Sequence, residues 1–303
     1  MNKIINYGSL NIDRVYSVED FVLPGQTISS RAFSVFPGGK GLNQSIAAAK
    51  AGSLVYHAGA VGEDGQFLVD FLKKSGVRTE LIATSRHPTG HAIIQVNRQG
   101  QNCIILHAGS NDDLSDQLRE RVVNKLNPGD LLVIQNEVNN NRDMMEKAIR
   151  RKARIALNPS PYNQEINDLP LEAVSWLFIN EVEGREMTGT DEPDEICARL
   201  IRRYPDLAVV LTLGSSGVLY QDERQKVRHG IYQVPVVDTT AAGDTFTGYF
   251  LSGIVAGLPI DKILQQASMA SAIVVSREGA AVSIPTIKEV NTFSQTIKIS
   301  SEQ

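Results

Sequence analysis

Cysteine is nearly absent from this sequence. Cys103 and Cys197 are the only two in 303 residues, and neither has a partner at metal-ligand spacing. This excludes a disulfide-stapled framework and points to a reducing compartment, the cytoplasm. Long apolar runs are missing as well: nothing approaches the roughly twenty apolar residues of a spanning helix. The opening Met1-Asn2-Lys3-Ile4-Ile5-Asn6-Tyr7-Gly8 is too short and polar for a secretory signal. Positive charge is not in excess, since the formal net charge is −4 and no basic stripe is interleaved with aromatics. A broad nucleic-acid footprint is therefore not expected, and neither is a membrane partner.

Several catalytic signatures are missing too. The histidines, His57, His87, His91, His107 and His229, form no HExxH or other ligand pattern, and no G-x-S-x-G elbow occurs. No G-x-G-x-x-G follows the first predicted strand, which counts against a dinucleotide enzyme. Pro37-Gly38-Gly39-Lys40-Gly41 lacks the Walker spacing. It reads either as a flexible junction or as backbone approaching a small ligand, with Lys40 and Asn43 donating to it.

What remains is an ordinary globular composition, 42% hydrophobic and 21% charged. The pattern predicts strands over 4–7, 54–61, 131–134, 155–157, 176–179 and 208–213. Helices are expected over 42–51, 66–75, 118–126, 142–152, 182–187, 193–204 and 263–275, with a last one after Pro285. Alternating strands and helices imply an α/β fold, a doubly wound, mainly parallel sheet covered on both faces. Two hairpin regions, 14–36 and 89–107, fall outside that rhythm and are expected to join as a small β-sheet lid. No linker or repeat divides the chain, so 1–303 reads as one domain.

Polar residues recur at predicted strand ends: Asn11, Asp13, Glu137, Asn158 and Asn180. Each alone is a natural turn or cap residue. Together they lie at the carboxyl edge, where open α/β sheets bind ligands. Asn180 and Glu183 stand three apart at a helix start, a spacing that suits either a capping box or a hydrated Mg²⁺. Thr212-Leu213-Gly214-Ser215-Ser216-Gly217 ends a strand with small residues that either make a tight turn or admit a flat base and phosphates.

The densest motif is Val236-Val237-Asp238-Thr239-Thr240-Ala241-Ala242-Gly243-Asp244-Thr245-Phe246. Val234 to Val237 reads as the end of a buried strand, and Phe246, Tyr249, Phe250 and Ile254 recur at helical spacing. A helix N-terminus offers unpaired amides and partial positive charge, hence an anion site. Asp244 would stand beside it, either as ordinary helix-start chemistry or as a base for phosphoryl transfer.

Taken with Gly8-Ser9-Leu10-Asn11-Ile12-Asp13, Gly38-Gly39-Lys40-Gly41-Leu42-Asn43-Gln44, Thr89-Gly90, His107-Ala108-Gly109-Ser110-Asn111 and Asn158-Pro159-Ser160-Pro161, these motifs resemble the ribokinase (PfkB-type) family of sugar and nucleoside kinases, nearly end to end. The resemblance implies Asp244 as base on a primary hydroxyl, with the amides of Ala241, Ala242 and Gly243 as anion hole. It implies sugar contacts from Asn11, Asp13, Gly39, Lys40, Asn43 and Glu137. Asn180 and Glu183 would serve the phosphate and Mg²⁺ region, and Thr212, Gly214 and Gly217 the ATP. A monovalent cation, usually K⁺, would lie near Asp238, Thr240, Arg277, Gly279 and Ser283, partly on backbone carbonyls. The lid would also join two copies as a homodimer. Ribose is the first expected sugar; other pentoses, fructose-type ketohexoses, nucleosides and a non-catalytic sugar binder are the alternatives. Leu42, His91 and Ser268 depart from the family pattern, with His91 placed where it can face the sugar and Ser268 near the base.

Overall fold

A computed structural model describes residues 2–294. Thirteen strands and ten helices follow in the order β1 (Ile4–Tyr7), β2 (Asn11–Ser17), β3 (Ala32–Gly38), α1 (Lys40–Lys50), β4 (Val55–Val61), α2 (Gln66–Lys74), β5 (Arg78–Thr84), β6 (Gly90–Val96), β7 (Asn102–His107), α3 (Asp116–Lys125), β8 (Leu131–Gln135), α4 (Asn141–Arg150), β9 (Arg154–Asn158), β10 (Val174–Asn180), α5 (Glu181–Thr188), α6 (Pro193–Arg203), β11 (Ala208–Thr212), β12 (Val218–Gln221), β13 (Lys226–His229), α7 (Ala242–Ala256), α8 (Ile260–Val275), α9 (Ala280–Ser283) and α10 (Ile287–Phe293).

The large sheet has nine strands in the order β13-β12-β11-β10-β9-β8-β1-β4-β5. Its seven strands from β11 to β5 are parallel, and β12 and β13 extend it as an antiparallel edge. The parallel strands read as near-continuous apolar runs because helices cover both faces. On one face Ile4, Val55, Leu131 and Val210 pack with Leu42, Phe246, Phe250 and Ile263 from α1, α7 and α8. On the other, Ile5, Leu132, Ile155 and Val209 pack with Leu118, Met145 and Ile196 from α3, α4 and α6.

Local chemistry fixes the helix ends. Ser115 accepts from Leu118 N to start α3, and Thr286 with Glu289 makes a capping box on α10. Helices α1 and α7 meet at nearly bare backbone: a Cβ at Gly248 would overlap the Ala47 methyl and crowd the Ala48 amide.

The second sheet has four strands in the order β3-β2-β6-β7. It leaves the large sheet just after β1 and returns to it through α1. Its apolar residues Phe33, Val35, Ile104, Ile105 and Leu106 are exposed. The run Val234–Val237, expected to end a strand, is irregular, and Val236 and Val237 are 68% and 59% exposed. No adjacent strand pairs with these valines. Instead, the Val237 and Asp238 amides donate to Val275 O at the end of α8.

Candidate active site

Asp244 sits in the first turn of α7 and is 8% exposed. Ala241, which precedes the helix, has φ 62° and ψ 8°, a left-handed conformation costing a non-glycine residue about 1 kcal/mol. Two bonds hold it in place, Thr245 N to Ala241 O at 2.9 Å and Ala242 N to Thr239 O at 3.3 Å. No side chain caps the helix start, and the space around Gly243 is open. The Ala241 and Gly243 amides carry no hydrogen bond among the described residues, as an anion hole requires, whereas the Ala242 amide, expected beside them, is turned to Thr239 O. Asn43 Nδ2 donates to Asp244 Oδ2 and Gln44 Nε2 to Asp244 Oδ1, each at 3.0 Å. Both donors lie early in α1, so the Gly-Gly-Lys-Gly motif and the Gly-Asp motif meet at this carboxylate.

Strand alternation builds the side facing the small sheet. Asn11 pairs with Gly38 and Gly90, and Asp13 with Phe36 and Ala92. These residues share one face. A Cβ at Gly38 would overlap the Asp13 carboxylate, and one at Gly39 (φ 97°) would stand 3.0 Å from Asn11 N. Glycine at both positions is thus a steric requirement. Ser9 Oγ donates to Glu137 Oε2 at 2.5 Å, and Lys40 N donates to the same oxygen at 3.1 Å. Asn111 Nδ2 donates to Asn11 Oδ1 at 2.7 Å. Asn43 Oδ1 is buried with no hydrogen-bond partner, an acceptor suited to a hydroxyl.

These carboxylates perturb one another. Burial, then the nearby Glu137 and Asp244, pushes Asp13 up from 3.8 to about 7. Burial also raises Glu137, against the opposing pull of Lys40 and Ser9. Burial pulls the Lys40 ammonium down, but Asp244, Glu137 and Glu183 outweigh it, so Lys40 ends above its usual value and is charged at neutral pH.

Three cavities run past this point. One of about 840 Å³ adjoins Asn11 and Glu137 and extends along Leu106, Asn111, Arg142 and Asn163. A polar chamber of about 240 Å³ is lined by Lys40, Asn158, Asn180, Glu183, Thr212 and the segment Ala241–Asp244. It continues, through Thr212, Thr239, Ala242 and Gly243, into a mainly apolar cavity of about 660 Å³. Gly214, Gly217, Tyr232, Val236, Phe246, Ser268 and Val275 line that cavity. Its size and character suit a nucleotide.

Asn180 and Glu183 do form a capping box, with Glu183 N donating to Asn180 Oδ1 at 2.9 Å and Asn180 N to Glu183 Oε2 at 3.0 Å. Both still line the polar chamber, where Glu183 Oε1 carries no hydrogen bond among the described residues. Asp238 ties two loops together, accepting from Thr240 N at 2.8 Å and Gly279 N at 3.2 Å. Arg277 reaches Ser283 O and Glu289.

One expectation about the small sheet fails. His91 pairs with Ile12 and His107, so it occupies the face opposite Asp13, Ala92 and Leu106. Its ring lies 5.0 Å from that of His107. The one-residue offset from Ala92 is what turns it away. Three residues that join the site have no role in the sequence reading: Ser9, Gln44 and Asn111. Their signal was membership of the same short motifs as Asn11, Asn43 and Gly109.

Comparison with known proteins places nearly the whole chain in a family. A family model described as pfkB family carbohydrate kinase matches residues 1–287. The ribokinase of Haemophilus influenzae is 33% identical over 296 residues, covering 94% of this chain and 96% of that protein. The ribokinase structure from Thermotoga maritima superposes with a TM-score of 0.88 at 31% identity, covering 98% of this chain and all of that one. That of Arabidopsis thaliana, complexed with ribose and ATP, gives 0.85 at 28% identity, covering 97% and 99%. With the family model matched over residues 1–287 and relatives of about 30% identity covered almost end to end, this chain belongs to the PfkB family of carbohydrate kinases, which transfer a phosphoryl group to a sugar hydroxyl.

Proposed function

We propose that this enzyme transfers the γ-phosphoryl group of ATP to the primary hydroxyl of a pentose, D-ribose first, giving ribose 5-phosphate. The observation that carries the reading is the position of Asp244. It is gripped by Asn43 and Gln44 and stands beside the open amides of α7, at the junction of the polar and apolar clefts.

In this reading Asn11, Asp13, Gly39, Lys40, Asn43 and Glu137 bind the sugar hydroxyls. Asp244 takes the proton of the attacking hydroxyl, and the amides of Ala241 and Gly243 receive charge developing on the transferred group. Phosphoryl transfer passes through a loose transition state, so positioning and charge stabilisation supply most of the acceleration. Thr212, Gly214 and Gly217 hold the nucleotide. The small sheet acts as a lid that excludes water from the γ-phosphate.

Mg²⁺ would reach the site with the nucleotide phosphates, with Asn180 and Glu183 beside it; the uncommitted Oε1 of Glu183 fits a water-mediated contact. A K⁺ ion fits near Asp238, Thr240, Arg277, Gly279 and Ser283. There the carbonyls of Thr240, Arg277 and Gly279 accept no hydrogen bond among the described residues. When bound, it would add positive charge behind the anion hole. The exposed apolar residues of the lid fit a homodimer contact. The two cysteines form no disulfide, and no helix among the described residues is long and apolar enough to cross a membrane. These observations support a cytoplasmic location.

The test is ATP consumption against pentoses, ketohexoses and nucleosides, with Mg²⁺ and with or without K⁺. Strong turnover on ribose alone is expected; turnover only on another sugar would overturn the substrate assignment. Asp244→Asn should lower turnover by at least about 100-fold while sugar binding persists. Loss of binding together with turnover would make Asp244 a sugar ligand or structural residue instead.

A further inference from the structure

Beneath Asp244 the central strands carry polar side chains where apolar ones are the rule. Asn6 on β1, His57 on β4 and Gln135 on β8 are 1%, 0% and 0% exposed. Asn6 pairs with His57 and with Val133, and Gln135 lies two residues beyond Val133. All three therefore share the sheet face covered by α1. Burying an amide is costly unless its dipole is matched.

The matching forms a chain. Asn6 Nδ2 donates to Gly41 O at 3.0 Å. Gln135 Nε2 donates to Asn6 Oδ1 at 3.0 Å and to Gln44 Oε1 at 2.8 Å. Gln44 Nε2 then donates to Asp244 Oδ1 at 3.0 Å. The direction of every bond follows from the first. A backbone carbonyl only accepts, so Asn6 must turn its nitrogen to Gly41 and its oxygen to Gln135. Gln135 must then present nitrogen, which obliges Gln44 to accept on one side and donate on the other.

We infer that Asn6, Gln135 and Gln44 form an amide relay whose polarity, anchored at the Gly41 carbonyl, keeps an N–H donor against Asp244 and holds that carboxylate in the orientation that general-base catalysis needs. None of the three reaches the clefts, so they are positioning residues acting through Asp244. The inference rests on the reading of Asp244 as the base. The other charged groups near Asp244 are Lys40 on α1, Asp13 on β2 and Glu137 after β8, with Glu183 on α5 beyond Lys40. None is changed by altering the relay. His57, bonded to Ser45 at 2.8 Å, is kept neutral by burial, which lowers it to about 4.

The experiment uses the full-length enzyme and follows kcat against pH at saturating sugar and ATP, where Asp13 is already engaged. Gln44→Glu and Gln135→Glu keep shape but reverse polarity. Gln44→Glu puts a second carboxyl against Asp244. Gln135→Glu sets an acceptor against two acceptors and relaxes only if the Gln44 amide turns its oxygen to Asp244. Both should move the acid limb of kcat upward by about one pH unit or more. For a shift of about one unit the resulting loss is about five- to six-fold at the wild-type midpoint, approaches about ten-fold below it and shrinks as pH rises. The Gln135 side chain bonds only to Asn6 and Gln44, neither of which lines a cleft, so a shift there is the telling result. A purely structural role predicts an unchanged limb, or a loss equal at every pH, and either overturns the relay. Thermal melting establishes that each variant is folded. Should the Glu variants not fold, Gln44→Met and Gln135→Met remove the donors without adding charge; the limb should move the same way, and its failure to move overturns the inference. Asp244→Asn is the control: if it keeps turnover, the base assignment fails on its own, whatever the glutamine variants do.

Discussion

Asp13 gives the sharpest quantitative prediction, because its carboxyl is raised to about 7 while the hydroxyls it should bind need an ionised acceptor. The raised value has a clear origin: burial first, then the fields of Glu137 and Asp244. A bound sugar donates hydroxyl hydrogen bonds to the carboxylate and so favours the charged form. Sugar binding below neutrality should therefore expel a proton. If only the ionised form binds, the observed Kd is the intrinsic value divided by the ionised fraction. The affinity should then be weakened about 11-fold near pH 6, about 2-fold at pH 7 and hardly at all near pH 8.

Isothermal titration calorimetry of the nucleotide-free enzyme with sugar measures both quantities. Repeating it in buffers of different ionisation enthalpy should show release of about 0.9 proton near pH 6 and about 0.1 near pH 8. The stability of the free protein carries the opposite sign. Between about 4 and about 7 its Asp13 binds more protons than the unfolded chain's, so stability falls as pH rises through that window. The Tm gain on adding sugar should accordingly be larger at pH 8 than at pH 6. Asp13→Asn should weaken binding and flatten the pH dependence together. An affinity constant from pH 6 to 8, or a pH dependence that survives in Asp13→Asn, would refute the reasoning and shift attention to Glu137.

Other expectations follow from the same geometry. Gly248→Val drives a side chain into Ala47 and Ala48 and should destabilise the fold by about 1–3 kcal/mol, read from the denaturant midpoint at unchanged m-value. A midpoint equal to wild type would show that α1 and α7 can separate freely. Asp238→Ala cuts the links to Thr240 and Gly279 and should abolish the stimulation of kcat by K⁺ while leaving sugar affinity within about two-fold; preserved stimulation places the cation elsewhere. Ile104 and Ile105 point to opposite faces of the lid, so Ile104→Glu and Ile105→Glu, compared by light scattering, should yield monomers for whichever face forms the dimer. If neither changes the mass, the lid is not the contact.

Much of this fold is written in local patterns that survive translation into three dimensions. The parallel strands and covering helices appear as apolar runs and helical periodicity, and the motif glycines stand where the backbone comes within contact of Asn11, Asp13 or α1. Other parts depend on partners distant in sequence. Val234–Val237 has the composition of a strand, but its neighbour is the end of α8 rather than another strand, so it stays irregular and lines the apolar cavity. The antiparallel pair β12–β13 consists of two four-residue strands, too short for periodicity to register. Which face His91 occupies is set by a one-residue register against Ile12 that no local pattern encodes. Asn6 and Gln135 stand as single polar residues at the ends of apolar strands, where they look like turn residues. Only the packing of α1 above them reveals what they hold.

The near-contact of α1 with α7 has an evolutionary consequence. Asp244 and its two direct donors ride on helices whose backbones are separated by little more than a glycine and one alanine methyl, so this block tolerates almost no internal remodelling. The small sheet is attached to that block at Gly8–Leu10 and Gly38–Gly39 and sets Asn11, Asp13, Ala92 and Leu106 on one face, with Asn11 and Leu106 lining the adjoining cavity. Substitutions on its strands leave the contacts of Asn43 and Gln44 with Asp244 in place. One chain thus joins a block whose close backbone packing leaves little room for change to a sheet built outside that packing, an arrangement under which one piece can drift while the other is held fixed.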